Sequence, residues 1–124
     1  MTITILDTAE DVARVLAGRV AAAVRDRPAL VLGLPTGRTP VAAYAELRRL
    51  SMAGEVDFSE AATFNLDEFA GLSASHPGSF RYFMEQHLFA SINIDASRIH
   101  FLDGGALDLD AECARYEIPE AARV

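Results

Sequence analysis

Apolar residues recur along this chain with two different periods, and the switching between them predicts its elements. Residues 2–6 alternate polar and apolar before turning apolar, the pattern of a short strand. Val12, Val15, Leu16, Val20 and Val24 then repeat at helical spacing and predict one apolar stripe. Thr8 stands where that helix needs an N-cap, Glu10 and Asp11 complement the positive end of its dipole, and Asp26-Arg27-Pro28 ends it. Residues 29–34 are apolar throughout, which fits a strand buried on both faces. Pro40 fits the first turn of a second helix with Thr39 as its cap. Val41, Tyr44 and Leu47, with Leu50 or Ala45, form that helix's inner stripe, and Gly54 is placed to end it in a left-handed residue. A strand follows over residues 61–66. Phe80, Phe83, Met84 and Leu88 mark a third helix, and residues 98–102 read as a further strand. Asp103-Gly104-Gly105 turns the chain, and Asp108 caps a last helix running to about residue 116.

Strand and helix alternate throughout. Such alternation predicts a parallel sheet with helices on both faces and right-handed crossovers. No internal repeat, low-complexity segment or linker interrupts it, so residues 1–124 are expected to form a single domain. A length of 124 residues suits that size, and 51% hydrophobic residues supply a core.

Charge and cysteine content narrow the function. The net charge of −7 offers no basic face to offset phosphate repulsion, which speaks against a nucleic-acid partner. A small phosphorylated ligand needs only a local positive site. No apolar run reaches the ~18 residues of a membrane span, and the N-terminus lacks the basic start of a signal peptide. A cytoplasmic protein without a membrane partner is therefore expected. The single cysteine, Cys113, forms no intramolecular disulfide framework, and a packing role is expected for it. No histidine pair has the spacing of a zinc motif, so no metal is expected. His87 and His100 read as packing or sheet-face residues, and His76, in a loop before Pro77, as the one histidine placed to neighbour a site.

Candidate chemistry concentrates at two strand ends. Leu30-Val31-Leu32-Gly33-Leu34-Pro35-Thr36-Gly37-Arg38-Thr39-Pro40 reads as a strand, a tight glycine turn and a helix start. Such a turn aims several backbone N–H groups at one point, which suits an anion. It is neither the dinucleotide fingerprint nor the Walker loop, because both spacings are wrong. Taken alone, the segment admits two readings. It is turn and cap chemistry only, or the N–H groups of Gly37, Arg38 and Thr39 bind an anion with help from the Thr36 and Thr39 hydroxyls. The strand over residues 61–66 delivers two further candidates, Asp67 and Glu68. A carboxylate at the end of an apolar strand can move a proton between adjacent sugar carbons. Glu68, its neighbour, points elsewhere on a regular backbone and reads as structural or supporting. Ligands of open parallel sheets bind outside the carboxyl ends of the strands, where both segments are expected.

These segments resemble a known family. Leu32-Gly33-Leu34-Pro35-Thr36-Gly37-Arg38-Thr39-Pro40 is similar to the substrate loop of glucosamine-6-phosphate deaminases. Thr63-Phe64-Asn65-Leu66-Asp67-Glu68-Phe69, then Gly71-Leu72, then His76-Pro77-Gly78-Ser79-Phe80, resembles the segment that carries their catalytic aspartate. Residues 98–104 and 108–117 continue the likeness in order. The resemblance implies a Rossmann-like fold shared with ribose-5-phosphate isomerases and 6-phosphogluconolactonases, in truncated form. It implies conversion of glucosamine 6-phosphate to fructose 6-phosphate and ammonia without a cofactor. Asp67 matches the proton acceptor that works between sugar C2 and C1. Thr36, Gly37, Arg38 and Thr39, with Glu68, match the substrate-binding residues. A small sugar phosphate is the implied partner, and homo-oligomers are common in the full-length family.

Two departures from the family pattern stand out. Arg38 occupies a position where many of these loops have a second glycine. The chain is also about half the usual length, and the resemblance implies that the other half carries an Asp-x-His pair, a glutamate for ring opening and basic residues that grip phosphate. An N-terminal fragment with little activity alone is therefore expected, ending in a divergent tail over residues 118–124. One rival is a 6-phosphogluconolactonase-like hydrolase, disfavoured because Phe69 stands where lactonases usually carry an arginine. Another is a non-catalytic sugar-phosphate binding or interaction module.

Overall fold

A computed structural model describes residues 2–117. The tail expected over 118–124 lies outside them. Three strands, β1 (Val31–Leu34), β2 (Ala62–Asn65) and β3 (Ile99–His100), pair in parallel in the order β1-β2-β3. Helices α1 (Ala9–Asp26), α2 (Val41–Met52), α3 (Phe80–His87) and α4 (Leu109–Tyr116) alternate with them. The alternating parallel α/β architecture is thus the one the periodicity implies. None of these helices is long and apolar enough to cross a membrane.

Register divides the sheet into two faces. Leu32 pairs with Thr63 and Thr63 with Ile99, while Leu34 pairs with Asn65, so these side chains share one face. That face meets the core: Leu34 joins Ala17, Tyr44, Leu47, Phe58 and Met84, with Leu32 and Ile99 packed alongside. On the other face stand Val31, Gly33, Phe64 and His100. The Phe64 and His100 rings stack at 4.2 Å, and Tyr116 from α4 leans on Phe64 at 6.0 Å. Helices therefore address both faces unequally. Burial of β1 on both sides, expected from its apolar run, is not seen. Gly33 is exposed and Val31 only partly buried, because no described residue packs over that end of the second face.

Capping follows the sequence at two helices and departs at a third. Thr8 Oγ1 accepts from the Asp11 N–H at 3.0 Å, and Asp108 Oδ1 from the Ala111 N–H at 3.1 Å. In α2, Pro40 rather than Thr39 occupies the N-cap position, and no side chain caps it. The turn closes on its own backbone instead, with Val41 N–H donating to Arg38 O at 3.3 Å. At the other end Gly54 adopts φ +74, as a left-handed terminator should, and Glu55 N–H reaches back to Leu50 O at 2.9 Å.

Three expectations are corrected. Residues 2–6 form no strand and stay largely exposed, since no described strand offers them a hydrogen-bonding partner. The buried seam of α1 is Ala13, Ala17, Ala21 and Val24, with Val12 and Leu16 about half exposed. Small residues let α1 lie close against α2, and that close approach rotates the valine-leucine stripe outward. The strand expected over 98–102 shrinks to Ile99–His100, because the 3-10 turn Ala96–Arg98, capped by Asp95, takes up its start.

Candidate functional site

The two strand ends singled out above are neighbours. Leu34 and Asn65 are register partners in adjacent parallel strands, and Asn65 Nδ2 donates to Leu34 O at 2.8 Å. The chain leaves both strands at the same rim, into the 35–40 turn on one side and Asp67 on the other.

The first turn is built around Gly37, whose φ of +97 few other residues adopt. Buried Tyr44 anchors it from α2 by donating its hydroxyl to Pro35 O. Burial pushes the Tyr44 phenol well above its ordinary pKa, so it stays a donor. Among the described residues, the N–H groups of Gly37, Arg38 and Thr39 donate to no acceptor. Arg38 and Thr39 are exposed and Thr36 is partly buried. All three line a groove of about 680 Å³ whose opposite wall is α1, including Val12 and Leu16. This groove is mostly apolar, and its polar groups gather at the turn.

Asp67 is exposed, and its carboxylate accepts no hydrogen bond among the described residues. Glu68 is the opposite case. Its Oε1 accepts from the N–H groups of Phe69 at 2.9 Å and Phe80 at 2.8 Å, and its Oε2 from that of Arg81 at 3.0 Å. Phe80 and Arg81 open α3, where Ser79 Oγ accepts from the Tyr82 N–H at 3.0 Å. Glu68 therefore satisfies two N–H groups that a helix start leaves without partners, at the end of the dipole that favours a negative charge. As placed, it holds the loop, the structural role that the residue pattern suggested beside the substrate-binding one.

Three further residues shape this rim, and of them the sequence marked only Gly104, as part of a turn. Tyr116 donates its hydroxyl to Asn65 O at 2.6 Å and His100 O at 2.8 Å, clamping the ends of β2 and β3 together. Gly104 packs so closely that an added Cβ would stand 2.1 Å from Phe69 O and 2.7 Å from Leu72 O. Asn65 is fully buried, and among the described residues its Oδ1 has no partner. The Gly104-Gly105 doublet was the one visible signal among them.

The histidines and the cysteine have other contacts. His76 Nδ1 accepts from the Gly78 N–H at 2.9 Å and so organises its own loop. His87 lies against Phe83 at 4.3 Å. His100 stacks on Phe64, and burial holds its pKa below the ordinary histidine value. Cys113, expected to pack, is exposed, because α4 buries none of its residues. Among the described residues, no three His, Cys, Asp or Glu side chains converge as metal ligands.

Comparison with known proteins places this geometry. The chain is 52% identical over 102 residues to glucosamine-6-phosphate deaminase 1 of Giardia intestinalis, covering 82% of this chain and 38% of that protein. A solved monomeric glucosamine-6-phosphate deaminase superposes with a TM-score of 0.89 at 37% identity, covering 94% of this chain and 48% of that one. The 6-phosphogluconolactonase of Thermotoga maritima shares the fold, with a TM-score of 0.72 at 18% identity over 90% of this chain and 49% of that one. The chain spans less than half the length of the curated relatives it matches, from 38% to 47%. The profile described as Glucosamine-6-phosphate isomerases/6-phosphogluconolactonase matches residues 5–122, and the chain belongs to that family.

Proposed function

We propose that this chain carries the proton-transfer part of a cytoplasmic glucosamine-6-phosphate deaminase. Asp67 takes the proton from C2 of the open-chain amino sugar and returns it to C1. Hydrolysis of the resulting imine at C2 then gives fructose 6-phosphate and ammonia. The N–H groups of the 36–39 turn, the Thr36 and Thr39 hydroxyls and the Arg38 guanidinium hold the anionic substrate. Proton transfer of this kind needs a carboxylate and no cofactor.

One observation carries the reading: a carboxylate and a turn whose N–H groups have no partner among the described residues leave adjacent parallel strands at one rim. The deaminase reading is preferred to lactone hydrolysis for two reasons. The named deaminases stand at 52% and 37% identity, and Phe69, next to the acidic pair, packs on Phe80 at 4.6 Å. Sugar-phosphate binding without turnover is the second reading, favoured by the exposure of Arg38 and Asp67.

The test is ammonia release from glucosamine 6-phosphate, together with deuterium incorporation at C1 of fructose 6-phosphate in D2O. The 124-residue chain is expected to exchange the C1 proton while releasing ammonia far below a typical ~10 per second. Asp67→Asn is expected to lower exchange by about 100-fold or more. Exchange by the parent chain at the buffer rate, with calorimetric binding of fructose 6-phosphate that Asp67→Asn leaves intact, supports the binding module instead.

A further inference from the structure

We propose that Glu68 is a positioning residue for the Asp67 carboxylate, acting through the backbone that it ties to the start of α3. The proposal rests on the reading of Asp67 as the proton acceptor and deepens it. Asp67 is a loop residue whose own side chain is held by nothing among the described residues. A carboxylate that must reach two neighbouring carbons in turn needs a fixed direction, and here the chain on either side supplies it.

On the near side, Asn65 is clamped by Tyr116 at 2.6 Å. Beyond Asp67, Glu68 accepts three backbone N–H groups, and two of these, Phe80 and Arg81, lie more than ten residues along the chain. The loop continues to Gly71, whose N–H donates to Gly104 O at 2.6 Å. Asp67 thus sits between two fixed neighbours, so its Cα–Cβ direction is set while its oxygens remain available. Charge-assisted bonds of the Glu68 type are about twice as strong as neutral ones, and α3 is a rigid element to borrow from. Both Glu68 oxygens are already engaged by backbone, so a substrate contact would compete with the tie to α3.

The test uses the whole chain and C1 proton exchange of fructose 6-phosphate. Glu68→Ala is expected to lower the maximal exchange rate about 100-fold, the scale of a 1 Å misplacement, with the half-saturating concentration within about twofold. Glu68→Gln keeps an Oε1 acceptor for Phe69 and Phe80 and is expected to return the rate to within about tenfold of the parent. Asp95→Ala removes the cap of the turn that precedes β3, at the opposite end of the strands from the rim, and serves as the control for lost stability alone. Exchange in Glu68→Ala equal to that in Asp95→Ala overturns the proposal.

Failure of the underlying reading looks different. Exchange by the parent chain at the buffer rate, or unchanged in Asp67→Asn, removes Asp67 as the acceptor whatever Glu68 does. Glu68 is then judged by amide relaxation: the order parameter at Asp67 is expected to fall from about 0.85 toward 0.6 in Glu68→Ala. An unchanged order parameter overturns the positioning role, and a fall upholds it.

Discussion

Gly104 shows how much a single missing methyl group can decide. It lies in the turn after β3, yet the atoms it avoids, Phe69 O and Leu72 O, belong to the loop that follows Asp67. A Cβ at 2.1 Å from a carbonyl oxygen cannot be accommodated by a rotamer change, because Phe69 O and Leu72 O are both backbone atoms. The loop must move, and Asp67 moves with it. Gly104→Ala is expected to cost about 3 kcal/mol, the upper part of the usual overpacking range, read as a lowered urea midpoint. Gly33→Ala is the contrast, since its new methyl meets nothing within 4 Å, and its midpoint is expected to stay within ~0.5 kcal/mol of the parent. Equal midpoints for the two variants would defeat this account. Residues with a local signature were legible from the sequence: the Gly37 turn, the place of Asp67 at a strand end, and the caps Thr8 and Asp108. Tyr116 and Gly104 were not, because their roles exist only once chain segments distant in sequence come together.

At the scale of elements, period and punctuation carried the fold, and pairing and packing decided the rest. The alternation of helix and strand specified the parallel sheet, because each apolar run was bounded by turn residues. Residues 2–6 had the right alternation and still formed no strand: a ladder needs a partner, which no local pattern reports. The α1 seam departs from the hydropathy stripe for a related reason. Hydropathy ranks valine and leucine above alanine, while close helix contact selects alanine. Helix α4 has no fully buried residue, so beside the Tyr116 clamp its docking depends on a polar tie. Glu112 binds Arg115 and accepts from the Asp103 N–H at 2.8 Å, while Arg115 donates to Phe101 O at 3.0 Å. The Arg115 guanidinium, helped by the Asp103 N–H, lowers the Glu112 pKa from 4.5 to about 2. A carboxylate lowered on folding stabilises the fold fully above its unfolded value, and that contribution is lost as pH falls through the folded one. The docking of α4 is therefore expected to weaken between about pH 4.5 and 2. Two-dimensional NMR of the Tyr116 ring checks this, with Glu112→Gln expected to abolish the pH step. A ring signal insensitive to pH over that window in the parent chain would contradict it.

For the molecule as a whole, the balance between exposed apolar surface and net charge sets its behaviour in solution. Among the described residues β1 is an edge strand with one free side, and Gly33 on the second face is exposed. Ile3, Ile5 and Leu66 are 75%, 89% and 86% exposed, and Val12 and Leu16 line the open groove. Edges and apolar patches of this kind favour association. Opposing them is a charge of −7, which makes copies of the chain repel one another at neutral pH. That repulsion fades as pH falls toward the isoelectric point near 4.8, and salt screens it over about 8 Å at 0.15 M. Self-association is therefore expected to rise between pH 7.5 and 5.5 and with added salt. This interval lies above the window in which α4 loosens, so unfolding of that helix does not enter the comparison. Sedimentation velocity across a concentration series reads the effect directly. Val12→Glu with Leu16→Glu is expected to reverse it, because both side chains already face outward, the change adds to the net negative charge, and glutamate is a good helix former. A double variant that associates as strongly as the parent would shift the contact to the β1 edge. A parent chain that stays monomeric at pH 5.5 and high salt would mean that its exposed apolar residues are too dispersed to act as a surface.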